Sequence, residues 1–271
     1  MSQTDSGKAN SPRQMKIHKF PANDPVLQEL FDPYLPNSSA LWAVLKGNHG
    51  GKALVDNTSI PSQCVLRTNA ALTYFSRQTG QTFLDEAIAH FRKIGQVWLV
   101  WPHKTSLHPP NVDLAETIKR LEFYGYNANS DTLRKLRKQL PEGFVIRKID
   151  EQIIERCEWR PEMEFYAGSL KNFLTHGIGI CILRGEDIVV EAYASSLGRE
   201  RAEIGAITHE EFRGQGYAPI ACAFLIETCE KRGYQAYWSC DADHKASVRV
   251  AEKLGFQYER PYQIYEYPSG G

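Results

Sequence analysis

The sequence predicts an α/β protein built on a mixed sheet and laid out as two successive halves. Three observations predict it. Short apolar runs bounded by turn residues alternate with amphipathic stretches along the chain. The 271 residues leave room for two compact domains of roughly 100–200 residues each. Residues 203–218 run from an apolar strand (Ile204, Ala206, Ile207) through a polar turn to Arg213-Gly214-Gln215-Gly216-Tyr217-Ala218, and then into an amphipathic helix over 217–232.

In the first half, residues 27–34 suit a short helix ended by Pro33 and Pro36, and Asn37 offers an N-cap to a helix over 40–46. Residues 52–56 and 64–68 are strands, and 82–93 has helical spacing at Phe83, Ala87, Ile88 and Phe91. The apolar run Val97-Trp98-Leu99-Val100-Trp101 suits a strand buried on both faces. Residues 103–110 are a loop, and 114–124 is a helix candidate ended by Gly125. A charged helix over 131–139 and the Pro141-Glu142-Gly143 break set the boundary between the halves at 140/141. Its basic run is a solvated face. His49 in a glycine turn is a solvated histidine rather than a catalyst, and Trp98 and Trp101 are core rather than ligand-lining.

The second half opens with a strand over 144–149 and helical stretches over 151–157 and 160–172. Strands at 177–183 and 188–195 flank Gly185-Glu186-Asp187, a hairpin signal. After the 217–232 helix, Gly233 is a stop, 234–240 alternates as a strand, and Asp243 caps a helix through Leu254 closed by Gly255. Residues 256–260 and 262–267 finish as strands.

Composition removes several function classes. Lys+Arg and Asp+Glu are both 32, a formal net charge of zero, against the basic excess of a nucleic-acid partner. A hydrophobic content of 42% is that of a folded globular chain. No apolar run is long enough to span a bilayer. Residues 1–14 are polar, lack a signal-peptide core and read as a disordered tail. Six cysteines without a Cys-x-x-Cys pair fit reduced, buried thiols in a cytoplasmic protein. Eight scattered histidines form no metal spacing, so no metal is expected.

The chemistry concentrates at 203–218. Amides at a helix N-terminus lack partners and carry partial positive charge. Gly214 and Gly216 have no Cβ, so a diphosphate can approach their backbone, and Arg213 adds a fixed cation at the rim. The spacing is neither a dinucleotide fingerprint nor a P-loop. Arg213-x-x-Gly216-x-Ala218 resembles the acetyl-CoA pyrophosphate loop of the GCN5-related N-acetyltransferase (GNAT) superfamily. About thirty residues on, His244-Lys-Ala-Ser247, then Ala251-Glu-Lys-Leu-Gly-Phe256, resembles that family's Asn-x-x-Ser and Glu-Lys-Leu-Gly-Phe marks, with His244 where Asn is usual. The whole chain is also similar to the zwittermicin A resistance-type acetyltransferases. Glu203-Ile-Gly, Trp238-Ser-Cys240 and Ser247 through Phe256 carry that likeness, more loosely joined by Gly51, Val55-Asp56-Asn57 and Pro61.

The resemblance implies a GNAT fold: an N-terminal GNAT-like domain over 15–140 that lacks the CoA loop, then a catalytic domain over 141–271. It implies acetyl transfer from acetyl-CoA to the amine of a small molecule. Pantetheine would pair with backbone groups of Ile207, Thr208 and His209, amides from Arg213 to Ala218 (Gly214, Gln215, Gly216 and Tyr217 between them) would hold the pyrophosphate, and His244 and Ser247 belong to the cofactor side. Glu203 is the expected base, with Glu191 in reserve, and an amide near Ile207 would stabilise the oxyanion. The family's Tyr acid is replaced by Ala251, leaving Cys240, His244 and Tyr258 as candidates, of which Cys240 joins Glu203 in the catalytic set. The alternatives are a glycine N-acyltransferase-like enzyme using another acyl-CoA and a non-catalytic acyl-CoA-binding regulatory protein.

Overall fold

The computed structural model describes residues 16–102, 104–127 and 131–270. The expected tail over 1–14 and His103 of the expected loop lie outside it. The strands are β1 (His18–Phe20), β2 (Gly51–Val55), β3 (Cys64–Thr68), β4 (Leu72–Phe75), β5 (Val97–Trp101), β6 (Glu116–Tyr124), β7 (Phe144–Lys148), β8 (Gly179–Arg184), β9 (Asp187–Gly198), β10 (Arg201–Thr208), β11 (Gln235–Asp241) and β12 (Tyr258–Tyr267). The α-helices are α1 (Ser39–Leu45), α2 (Gln81–Arg92), α3 (Asp131–Arg137), α4 (Glu151–Ile154), α5 (Arg160–Ala167), α6 (Leu170–His176), α7 (Tyr217–Lys231) and α8 (Lys245–Leu254).

All twelve strands form one sheet in the order β1-β2-β3-β4-β5-β12-β6-β11-β10-β9-β8-β7. Each half repeats one pattern. Strands β1 to β4 pair antiparallel and β4–β5 parallel; β7 to β10 pair antiparallel and β10–β11 parallel. In both, a helix (α2 or α7) links the parallel pair, as a parallel crossover requires. The halves then exchange their last strands: β12 pairs with β5 of the first half, and β6 with β11 of the second, while β6 and β12 pair with each other over nine residues.

That exchange explains the one strand that the sequence pattern misassigns. Residues 114–124 form not a helix but β6, preceded by a 3₁₀ turn at Val112–Leu114. Thr117, Ile118, Phe123 and Tyr124 suit a strand, and partners on both edges satisfy its backbone, so pairing distant in sequence overrides local spacing. Two caps also differ. α1 starts at Ser39 after Ser38, with no side-chain cap, and Asn37 takes a left-handed conformation (φ 48°). α8 follows His244, again without a side-chain cap. The stretch 160–172 is two helices, because Gly168 turns left-handed and Ser169 caps the second through the Asn172 amide. Near the N-terminus, residues 27–34 hold a 3₁₀ turn (Pro25–Glu29) rather than an α-helix.

Helices α7 and α8 cover one face of the second half, packing on Ile204, Ala236, Trp238 and Cys240. On the other face α1, from the first half, lies on β9 so closely that a Cβ on Gly198 would stand 2.2 Å from the Ser39 carbonyl oxygen and 2.6 Å from the Ala43 nitrogen. A buried carboxylate ties the exchange together. Glu122 of β6 is fully buried and accepts from Arg201 of β10 (3.1 Å), from Arg260 of β12 (Nε, 2.9 Å) and from the Asn37 amide (3.3 Å). Such a charge needs all these donors, since burial unpaired is costly.

Candidate active site

β10 and β11 pair only from Arg201–Ile204 against Gln235–Trp238. Beyond Ile204 they part, and β10 keeps its antiparallel bonds to β9 alone. A cleft of about 470 Å³ opens there, lined by both halves: Asn37, Trp98 and Arg120 from the first, and Trp159, Glu162, Tyr166, Tyr193, Glu203, Gly205, Ser239 and Asp241 from the second.

Strand alternation puts Glu203 and Gly205 on the cleft face and Ile204 in the α7 core. Burial pushes the Glu203 carboxyl up to about 7, with Arg120 and the hydroxyls of Ser195 and Ser196 pulling it part of the way back. Ser196 Oγ donates to Glu203 Oε2 at 3.4 Å. The Asn37 side-chain amide, turned so that both groups are satisfied, places its nitrogen 2.7 Å and 3.1 Å from the two Glu203 oxygens and 3.0 Å from the Tyr237 hydroxyl. The left-handed backbone that spoils Asn37 as a cap is what delivers this amide. Asn reaches that conformation more readily than most residues.

Alternation along β11 aims Tyr237, Ser239 and Asp241 the same way as Glu203. Arg120 crosses from β6 to donate to Asp241 (2.6 Å), Ser239 (3.2 Å) and Tyr262 (3.2 Å). Cys240, between Ser239 and Asp241, therefore points to the opposite face, into the core under α7 and α8, where burial raises its thiol. It does not stand beside Glu203 but in the core that also buries Ala251. Glu191 is also not in the cleft. It is fully buried and accepts from the amides of Glu158 (2.6 Å) and Trp159 (3.0 Å) and pairs with His209 Nε2 (2.6 Å), so it anchors the segment that carries Trp159. Tyr258 is exposed and stacks on Tyr124, and His244 is exposed at the start of α8. Ala251 is fully buried in the core.

The glycine turn retains its donors. Among the described residues, the amides of Gly214, Gln215, Gly216, Tyr217 and Ala218 make no hydrogen bond within the chain, and Pro219 at the third helical position has none to offer. Gly214 (φ 78°) and Gly216 (φ 84°) are left-handed, and a Cβ on either would meet nothing within 4 Å. Three amides differ from expectation. Arg213 N–H is bonded to Glu210 and His209 N–H to Val189. The His209 bond fixes the ladder, so Ile207, opposite Glu191, also turns its amide toward β9, while Ala206 and Thr208 face the gap. The free strand amides are thus 206 and 208 rather than 207 and 209. The Thr208 carbonyl accepts from Arg213 Nε (3.1 Å). Gln215 reaches the Glu211 carbonyl and Tyr217 O–H donates to Gln215, while Ser247 accepts from Trp238 Nε1 (2.9 Å).

Asn37, Arg120, Trp159, Tyr166 and Asp241 escaped the sequence pattern. Tyr237-x-Ser239-x-Asp241 was the available signal, three polar groups on one face of an alternating strand. The His49 imidazole is half-buried beside His176 and Arg232, and burial lowers its pKa. Trp101 packs against Phe75 and Tyr265, as core, whereas Trp98 lines the cleft. No group of His, Cys, Asp or Glu able to hold a metal occurs among the described residues, and no described helix is long and apolar enough to cross a membrane.

A parallel pair that parts beside a carboxylate, next to a helix N-terminus with unbonded amides, defines the class as an acyltransferase. A family model described as GNAT acetyltransferase matches residues 28–265. An N-acetyltransferase of Bacillus subtilis described as uncharacterized, YdfB, is 28% identical over 250 residues, covering 88% of this chain and 94% of its own. A GCN5-related N-acetyltransferase-like protein from Streptococcus suis superposes with a TM-score of 0.66 at 24% identity, over 89% of this chain and 96% of that one. A tandem GNAT protein from the clavulanic acid biosynthesis pathway gives 0.58 at 12% identity, over 94% and 99%. The chain belongs to the GNAT acetyltransferase family.

Proposed function

We propose that this enzyme transfers an acetyl group from acetyl-CoA to the amine of a small molecule by direct attack, with the second half as the catalytic one. Supporting this above all is Glu203, a carboxyl raised to about 7 on the cleft floor where β10 leaves β11.

The residues fit the carrier. Five unbonded amides over 214–218, at the positive end of α7, suit a diphosphate. The open space over both glycines leaves the approach clear. Acetyl-CoA supplies a thioester, an acyl group with a good leaving group. The Ala206 and Thr208 amides face the gap through which the pantetheine arm would reach the cleft.

An alkylammonium has a pKa of about 10.4 and must lose its proton before attack. Glu203, deprotonated above pH 7, takes that proton, while the Asn37 amide and Ser196 hydroxyl fix its direction. The leaving thiolate needs no dedicated acid, which fits Ala251 where the family commonly has Tyr.

Thiol release from acetyl-CoA across a panel of amines tests the reading. Turnover that falls in Glu203→Gln with CoA affinity retained supports it. Turnover equal in the variant and the parent contradicts it.

A further inference from the structure

Beyond the base, the cleft holds groups that acetyl transfer itself does not use, and their chemistry is one-sided. Glu162, on the first turn of α5, is exposed at the cleft and has no ion-pair partner among the described residues. Four aromatic side chains surround the same space: Trp98, Trp159, Tyr166 and Tyr193. The Trp159 ring lies 3.7 Å from where a Cβ on Gly205 would stand, two residues along the cleft face from Glu203, and meets Tyr193 edge-on at 5.5 Å. The Glu191 carboxylate, through the Trp159 amide, fixes that segment. An indole face is an electron-rich wall that attracts cations.

The cation in the cleft is already engaged. Arg120 gives Nη1 to Asp241, Nη2 to Ser239 and Nε to Tyr262. Three of its five N–H groups are taken and Asp241 already balances its charge, so a carboxylate on the acceptor would face Glu162 and Glu203 with little cationic compensation. The site is therefore poorly suited to an amino acid.

Building on the acetyltransferase reading, we propose that the acceptor is a carboxylate-free molecule with two amino groups, one presented neutral to Glu203 while the other stays an ammonium between Glu162 and the Trp159 face. A lone monoamine fills only the first position. The two anchors make the second ammonium worth about tenfold in kcat/KM, from one partly exposed ion pair and one partly desolvated cation–π contact.

The test compares 1,4-diaminobutane, n-butylamine and glycine at equal concentration, by thiol release from acetyl-CoA, in the parent enzyme and in Glu162→Gln. The expected result is a diamine to butylamine ratio in kcat/KM of about ten in the parent, reduced to within about twofold in Glu162→Gln, with glycine the poorest acceptor. A parent that uses butylamine or glycine as well as the diamine, or a Glu162→Gln variant that keeps the parent's ratio, overturns this inference and leaves acetyl transfer standing. No thiol release with any amine, although CoA binds, overturns the acetyl-transfer reading and this inference with it.

Discussion

The two halves run through the same motif and differ in what they do with its backbone. In the first, β4 leads through residues 76–80 into α2 and on to the parallel β5; in the second, β10 leads through 209–216 into α7 and on to β11. The first turn closes on itself. Ser76 N–H bonds to Cys64, Arg77 N–H to Leu30, Thr79 N–H to Ser76, and Gly80 N–H to the Gln63 side chain at 2.7 Å. The second leaves five consecutive amides without partners. A shared topology thus leaves donors for the proposed anion site only where the turn's amides are kept free, and here two left-handed glycines and Pro219 accompany them. β4 also has no acid: Leu72-Thr73-Tyr74-Phe75 stands where β10 has Glu203. The first half instead supplies Asn37, Arg120 and Trp98 to its neighbour's cleft.

The contrast can be broken by substitution. The largest effect is expected at the proposed base. Glu203→Gln should lower kcat by about 10²–10⁴-fold, with CoA affinity by calorimetry unchanged. Next, Gly216→Val should weaken CoA binding by tenfold or more, because φ 84° strains a branched residue and its side chain covers the amides. The matching change in the first half, Gly80→Ala, meets only Gln63 Oε1 at 3.5 Å and should leave CoA binding as it was.

Smaller but sharper is the pH profile. With Glu203 near 7, kcat/KM should rise about tenfold per pH unit below 7 and flatten above. The same group sets a stability trend. Between pH 4.5 and about 7 the folded chain keeps a proton that the unfolded chain has released, so stability falls as pH rises through this window. Glu203→Gln removes that slope, and urea melts at pH 5 and pH 8 should show it gaining on the parent only at the higher pH. The smallest effect concerns the seam. Gly198→Ala forces α1 off β9 and should cost about 1–3 kcal/mol in urea melts, through overpacking.

What was legible in the sequence was local. The 203–218 segment declares itself because strand, glycine turn and helix start follow one another within sixteen consecutive residues, and each rests on short-range chemistry. The hairpin at Gly185-Glu186-Asp187 reads for the same reason. β6 did not, because what makes it a strand is β11 and β12, more than a hundred residues away. The cleft's composition was hidden by the same exchange, since Arg120 arrives on β6. Cys240 sits a single step in register from Ser239 and Asp241, the difference between a core group and a cleft group on one strand. Ile207 and His209 show the same one-residue sensitivity in their amides.

The claim that the second half alone grips the carrier is tested most directly by calorimetric titration of coenzyme A into three proteins: the parent, Gly216→Val and Gly80→Ala. The account predicts one site in the parent, an unaltered site in Gly80→Ala, and at least tenfold weaker binding in Gly216→Val. Equal affinity in all three, or a loss confined to Gly80→Ala, would contradict it.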